Sequence, residues 1–361
     1  MSQHATRITA ADHAVTVTSN TATVTDWARR YFGQWWNAAQ PDMVNPPLVV
    51  ADVDAASVGE YTREVTAHLH QETTYANARL LHQCDQGTIT ACQPDEGLAY
   101  RVQPGLIHIA GRDEVPVCLA AARIAREVVR GQLLRAGWSI LHASAAVRDG
   151  QAVLTIGDKG AGKTTTALLL ARAGWQLLAN DRVFVRPDGD HVRVLPWPSA
   201  AAIGLGLLDA LDLYDSVRER TQRGELLHPT QDQRVTDALA AGRRKPLWNQ
   251  AGKELKPQFF PDQLAGWLGL TLADEAIAAR LVYPRITPAT APAELGDDRP
   301  LTEADFFTGT TEDRYPDVFR LLPGEHASIR NVLAALASLP SHTITLSHEV
   351  KSNTDFLTRI L

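Results

Sequence analysis

Apolar and polar residues alternate over "HAVTVTS" (13–19), the period-2 pattern of a half-buried strand. A short apolar run follows in "PPLVVADVD" (46–54). "GTITACQPDEGLAYRVQPGLIHIAG" (87–111) breaks into short strands at its Pro and Gly turns. Residues up to about 110 are therefore predicted as mainly strands and loops. Within them, "TVTDWARRYFGQWWNAAQP" (23–41) predicts a short helix. Its Trp27, Tyr31, Trp35 and Trp36 read as core packing, because a base-stacking platform needs basic interleaving and only Arg29 and Arg30 offer it.

The period then changes. "VPVCLAAARIAREVVRGQLLRAG" (115–137) carries Leu119, Ile124, Val128 and Leu133 near helical spacing, and Gly137 closes it as a C-terminal cap. "WSILHASAAVRDGQAVLTIGD" (138–158) reads as two strands around the Asp149-Gly150 turn. "WQLLAND" and a hairpin around "DGD" (188–190) follow, and "LLDALDLYDSVRERTQ" and "RVTDALAAGRR" read as helices. The chain is expected to end with a helix near "ASIRNVLAALASL" and a strand "HTITLSHE". These elements predict an α/β chain with a β-rich N-terminal domain, residues 1–112, expected to take part in substrate recognition. A mixed domain over 113–361 would follow.

One strand runs into a glycine-rich loop. Gly157-Asp158-Lys159-Gly160-Ala161-Gly162-Lys163-Thr164 fits G-x-x-x-x-G-K-[ST], with "AVLTI" before it and an Ala/Leu-rich helix after it. The glycines free the backbone to turn successive N–H groups inward as an anion nest, and the helix adds the positive end of its dipole. Lys163 is expected to reach the β and γ phosphates and the Thr164 hydroxyl to ligate Mg²⁺. Lys159 is either an exposed lysine or an extra phosphate contact, and Thr165 is within reach of the α-phosphate. Enzymes with such loops need a carboxylate on a nearby strand end for the metal or its waters. Asp181, 18 residues after Lys163, ends "WQLLAND", on a strand expected to lie beside the loop strand.

From Leu141 to Val185, "LHASAAVRDGQAVLTIGDKGAGKTTTALLLARAGWQLLANDRVFV" resembles the kinase core of the HPr kinase/phosphorylase family, itself similar to phosphoenolpyruvate carboxykinase. "GLGLLDALDLY" (204–214) resembles the "GLGI" segment that follows in that family. The resemblance implies a P-loop kinase core, ATP and Mg²⁺ as cofactors, and a functional role for His142, which would orient the γ-phosphate or steer Asp181. Three departures stand out. Where the family has two consecutive acids, this chain has Asn180-Asp181. Ala201 replaces the glutamate before "GLGI", and no counterpart of the "P-V-R-P-G-R-N" loop is found. Forward phosphorylation of a peptide or small-molecule hydroxyl is the resulting expectation, as in distant relatives that modify precursor peptides. A nucleotide-gated peptide-binding module with slow ATPase activity is the alternative.

Composition narrows the partners. The formal charge of −6 gives no basic field for nucleic acid. No apolar run reaches about 18 residues, the length a membrane-spanning helix needs. The N-terminal "MSQHATRITAADHAVTV" has no signal-peptide pattern, and Cys84, Cys92 and Cys118 follow no metal-site spacing. A cytoplasmic protein with free thiols is expected, and a homo-oligomer is compatible with the sequence. Further cations that would suit the γ-phosphate or an acidic acceptor are Arg285, Arg330 and the basic stretch "RRKPLWNQAGKELKP" (243–257).

Overall fold

The computed structural model describes residues 4–288, 291–296, 299–307, 315–324 and 329–361. The chain forms two units, Met1–Trp138 with Thr308–Ala327, and Ser139–Phe307 with Ser328–Leu361.

In the first unit, β1 (His4–Ala10) and β2 (His13–Ser19) form a hairpin, and α1 (Ala22–Phe32) starts at Thr21, whose side chain accepts from the Thr23 amide. Then come β3 (Asn37–Ala39), β4 (Leu48–Val53), α2 (Ala55–Thr66), β5 (Gln71–Tyr75), β6 (Ala78–Asp85), β7 (Thr88–Gln93), β8 (Leu98–Gln103) and β9 (Leu106–Gly111). All nine strands join one sheet in the order β3-β1-β2-β4-β9-β8-β7-β6-β5, so β3 and β5 are its edges. Tyr31, Trp35 and Trp36 follow the expected packing and are buried, with Trp36 stacked on Phe32, whereas Trp27 is half-buried.

Two features differ from the pattern-based expectation. First, α2 lies where only strands and loops are foreseen. It buries just Val58, Tyr61 and Val65, too sparse an apolar stripe to stand out. Its local signal is Asp54, whose carboxylate accepts from the Ala56 and Ser57 amides as an N-cap. Second, α3 (Glu114–Arg135) packs on α1, β2, β4 and β9, so the first unit continues past residue 112 to Trp138. Its middle buries a charged group: Arg126 and Arg130 both pair with Glu127, the latter at 2.8 Å.

The second unit is built on a ten-stranded mixed sheet. β10 (Ser139–Leu141) and β11 (Ala143–Arg148) are separated only by His142, yet they take different partners. β11 turns at Asp149-Gly150, both at positive φ (53° and 75°), into β12 (Gln151–Ile156). α4 (Lys163–Arg172) leads to β13 (Gln176–Ala179), followed by the hairpin of β14 (Val183–Asp188) and β15 (His191–Pro196). β10 pairs with β14, whereas β11 lies between β12 and β13, antiparallel to both.

Next come β16 (Ala201–Ala202), α5 (Leu205–Ala210), α6 (Tyr214–Gln222), α7 (Gln233–Ala240), β17 (Leu247–Trp248), β18 (Glu254–Leu255), β19 (Gln258–Phe259), α8 (Pro261–Gly266) and β20 (Thr271–Leu272). β16 pairs with β19, β17 with β18, and β20 extends the main sheet beside β13. β21 (Ala276–Ile286) runs parallel to β12 on one side. β22 (Ala293–Leu295), α9 (Arg330–Ala337), β23 (Ser341–Leu346) and α10 (Val350–Ile360) complete the unit, with β23 parallel to β21.

α4 covers β11, β12 and β13 and is itself covered by α10, while α9 covers β14 and β15. Leu168, Leu169 and Leu170 of α4 are buried, each worth about 1.5–3 kcal/mol relative to exposure. α9 and β23 match the helix and strand expected near the end of the chain, and α10 follows them where no further element is foreseen. Its stripe is short, Phe356 and Leu357 with the buried polar Asn353, whose side chain bonds the Ser347 backbone. Among the described residues no helix is long and apolar enough to cross a membrane.

Candidate active site

The glycine-rich loop leaves β12 at Ile156 and enters α4 at Lys163. Gly160 and Gly162 have φ of 90° and 111°, a region that L side chains rarely adopt. Gly162 also lacks room: a Cβ there would stand 3.0 Å from Ile286 Cγ1 and 3.7 Å from Pro284 Cβ. The end of β21 therefore rests against the last turn of the loop. Thr166 donates its hydroxyl to Gly162 O at 3.0 Å, and Ser144 of β11 donates to Lys163 O at 2.7 Å, which pins the first turn of α4 to the sheet. Gly157, Asp158, Lys159, Gly160 and Ala161 form the rest of the loop, with Lys159 exposed; Thr165 lies half-buried in the first helical turn.

Lys163 Nζ turns back into the loop, donating to Gly157 O at 2.5 Å and Asp158 O at 3.2 Å. Burial lowers its pKa from the usual lysine range; Asp181 and then Asp158 oppose that shift, and Arg299 reinforces it. Beside it, the Thr164 hydroxyl donates to Asn180 O at 3.2 Å, so the start of α4 touches the end of β13. Asn180 is buried, and the Asp181 carboxylate is 57% exposed with Arg182 Nε at 3.6 Å.

The strand bearing Asp181 is not the neighbour of the loop strand, as the sequence reading had it. β11 intervenes, so β12 and β13 stand two strand spacings apart, about 10 Å. Spacing along the chain fixes which strand follows the loop helix but not which strand is inserted between. Thr164 and Asp181 offer hard oxygen donors of the kind Mg²⁺ takes. Among the described residues no cluster of three or more His, Cys, Asp or Glu could hold a metal ion. A cation at Thr164 and Asp181 would thus complete its shell with phosphate oxygens and water.

His142 sits at the break between β10 and β11. Its amide donates to Asp305 O at 2.8 Å and its ring meets Phe307 edge-on, with centroids 5.6 Å apart. Motif reasoning missed the neighbours this brings in. Asp305 is buried, accepts Arg299 Nη2 at 2.7 Å, and accepts the Thr302 amide at 2.9 Å. The segment around it bridges Leu141 through Phe306, extending the sheet beside β10. Arg299 and Asp305 lie more than 130 residues beyond the loop with no local motif, so only the fold joins them to it.

The basic stretch 243–257 is a small hairpin with a committed arginine. Arg244 bonds Asp209 and Asp215, both at 2.5 Å, and lies over the Tyr214 ring. Arg285 is exposed near the end of β21, and Arg330 opens α9.

No protein-family model matches the chain. It is similar to the HPr kinase/phosphorylase of Lacticaseibacillus casei and that of Lacticaseibacillus paracasei, in each case 36% identical over 86 residues. Each match covers 22% of this chain and 27% of the relative, so the chain spans about a quarter of the length of the curated relatives it matches. Among solved structures it is similar to the Hpr(Ser) kinase/phosphatase from Coxiella burnetii, at 15% identity over 45% of this chain and 68% of that one. The TM-score is 0.23, too low for a shared fold to be argued from it.

Proposed function

We propose that the chain is an ATP-dependent phosphotransferase that moves the terminal phosphoryl group to a hydroxyl of a peptide, a protein or a small molecule. The observation that carries this reading is the juxtaposition, at one end of the sheet, of an inward-turned Lys163, the Thr164 hydroxyl and the exposed Asp181 carboxylate. The partial similarity to HPr kinase/phosphorylase supports the same class.

In this reading the amides of Gly157–Thr164 hold the phosphates, and Lys163 exchanges its two carbonyl partners for β and γ oxygens. Thr164 and Asp181 would hold Mg²⁺, which when bound neutralises charge on the phosphates. The acceptor oxygen bonds the γ-phosphorus as the bond to the β,γ-bridging oxygen breaks; ADP keeps that electron pair, and the acceptor proton passes to Asp181 or solvent. A loose transition state does not require a strong base, so Asn180 in place of a second acid is compatible with transfer. Because the Asn180 amide cannot take up a proton as a carboxylate does, the reading also implies a mainly forward reaction, without efficient phosphorolysis.

β5 of the first unit, an edge strand that pairs only with β6 among the described residues, suits the addition of a peptide strand. The same edge suits the second reading, a nucleotide-gated peptide binder with slow ATPase activity. Incubation with γ-labelled ATP and candidate hydroxyl acceptors, followed by mass spectrometry, tests the first: one added phosphoryl group is expected with the native chain and none with Lys163→Ala. Nucleotide-dependent peptide binding without label transfer would favour the second.

A further inference from the structure

We propose that Arg182 is the resident counter-ion of Asp181, and that it keeps a divalent cation off this carboxylate until a nucleotide is bound. The inference rests on the reading of Asp181 as a metal-binding carboxylate. β13 ends at Ala179 and β14 starts at Val183, so Asn180, Asp181 and Arg182 form the bend between them. Along an extended strand neighbouring side chains point to opposite faces. At this bend they converge, and Arg182 Nε lies 3.6 Å from Asp181 Oδ2.

Two aromatic rings hold the arginine. Its guanidinium carbon lies 4.7 Å from the centroid of the Phe307 ring and 5.7 Å from that of Trp197. Each ring is fixed through its own backbone: the Phe307 amide donates to Ile140 O at 2.8 Å, and the Trp197 amide donates to Arg182 O at 3.3 Å. Trp197 also stacks on Phe184, with centroids 5.2 Å apart. The arginine side chain is 25% exposed and the aspartate 57%. The cation is thus the seated member of the pair, and the carboxylate is the one that can turn away.

At 3.6 Å the two groups are joined by charge and not by a hydrogen bond. Such a pair can be exchanged, yet it has two effects while it lasts. It offsets the negative charge that Asp181 would present to incoming phosphates, and it competes with any cation for that carboxylate. A metal that needs Asp181 released binds with an affinity reduced by the fraction of carboxylate that is released. Thr164 and Asp181 alone are too few ligands to win that competition, whereas the phosphate oxygens of a bound nucleotide supply the rest of the shell. Metal is then admitted with the nucleotide and not before it.

The test measures Mn²⁺ binding to the nucleotide-free full chain by electron paramagnetic resonance. Arg182→Met keeps a long apolar side chain against the two rings and removes the charge. It is expected to tighten Mn²⁺ by about 3-fold or more, the upper range for a partly exposed ion pair. Arg182→Lys, which keeps the charge, is expected to stay close to the native chain. On an Asp181→Asn background, Arg182→Met is expected to change Mn²⁺ affinity by less than about 2-fold. A damaged site loses metal, so a gain separates this proposal from a merely structural role. If Arg182→Met lowers the melting temperature, Arg182→Gln replaces it with the same expectation. Unchanged or weaker Mn²⁺ binding in the charge-removing variant overturns the proposal, and so does an equal gain on the Asp181→Asn background. ADP affinity in Mn²⁺ and in EDTA, read by calorimetry, checks the underlying reading. If Asp181→Asn leaves the difference between the two unchanged, the metal reading of Asp181 fails and this inference with it.

Discussion

Gly162→Ala puts a number on the loop geometry. At φ 111° an alanine carries the strain of a left-handed backbone, about 1–2 kcal/mol. Its methyl would stand 3.0 Å and 3.2 Å from Ile286 Cγ1 and Cδ1, adding about 1 kcal/mol or more of overpacking. Ile286 is 40% exposed and can yield in part, which puts the total at about 2–3 kcal/mol rather than higher. For a unit of roughly 200 residues that is a fall in Tm of about 4–12 °C. Gly160→Ala is the control: its φ is 90° but no atom lies within 4 Å of the added methyl, so strain alone acts, about 1–2 kcal/mol. Differential scanning calorimetry with and without ADP reads both terms, since each variant also tilts amides away from the phosphates. Adding Ile286→Ala to Gly162→Ala should restore the crowding part and leave the strain. Equal Tm values for the two alanine variants, or no recovery in the double variant, would refute the placement of β21 against the loop.

Four further outcomes are expected. Lys163→Ala should abolish transfer and weaken nucleotide binding without lowering Tm; unchanged turnover in the purified variant would remove the loop from the mechanism. Asp181→Asn should slow turnover roughly 10²-fold, while metal-free nucleotide affinity holds or rises. If Asp181 serves only as a cap, the same change instead costs about 1 kcal/mol of stability and spares the rate. Burial leaves the Lys163 pKa below the usual lysine value, so nucleotide affinity should hold at lower pH and fall as pH rises through that lowered value. Asp181→Asn removes the first of the charges that oppose the shift, so it should move the fall to lower pH; a move upward in a titration of Kd against pH would contradict this. Glu127→Ala should destabilise by about 3–5 kcal/mol, because it removes the carboxylate that two buried arginines share, and chemical denaturation measures it.

The parts of the chain that were legible in its sequence are those governed by near neighbours. The hairpin at Asp149-Gly150 follows from two residues that tolerate positive φ, and the entry of β12 into α4 follows from the loop glycines. Asp181 falls at a strand end because only α4 and β13 fit between it and Lys163. What stayed hidden depends on contacts between distant segments. α2 and α10 bury only a few apolar residues each, and their helices are completed by Asp54 and by Asn353 on Ser347. The insertion of β11 between β12 and β13 is a choice of partner that periodicity does not express. Arg299 and Asp305 carry no spacing relation to the loop and become neighbours of it through β10 and β21.

β11 is also a gauge block. Where it separates the loop strand from the acid-bearing strand it consists of Ala143, Ser144, Ala145 and Ala146, all fully or almost fully buried. These are nearly the thinnest side chains available, and α4 lies directly on the strand. In the proposed mechanism the height of α4 over the sheet, and with it the offset between Lys163 and Asp181, would therefore be set by residues that never meet a substrate. Enlarging Ala146 by a methyl or two would lift α4 off its seat and change the offset between cation and acid, retuning the rate with every reacting group intact. Selection on turnover would then reach this unit through the hydrocarbon of one inner strand as readily as through the loop itself.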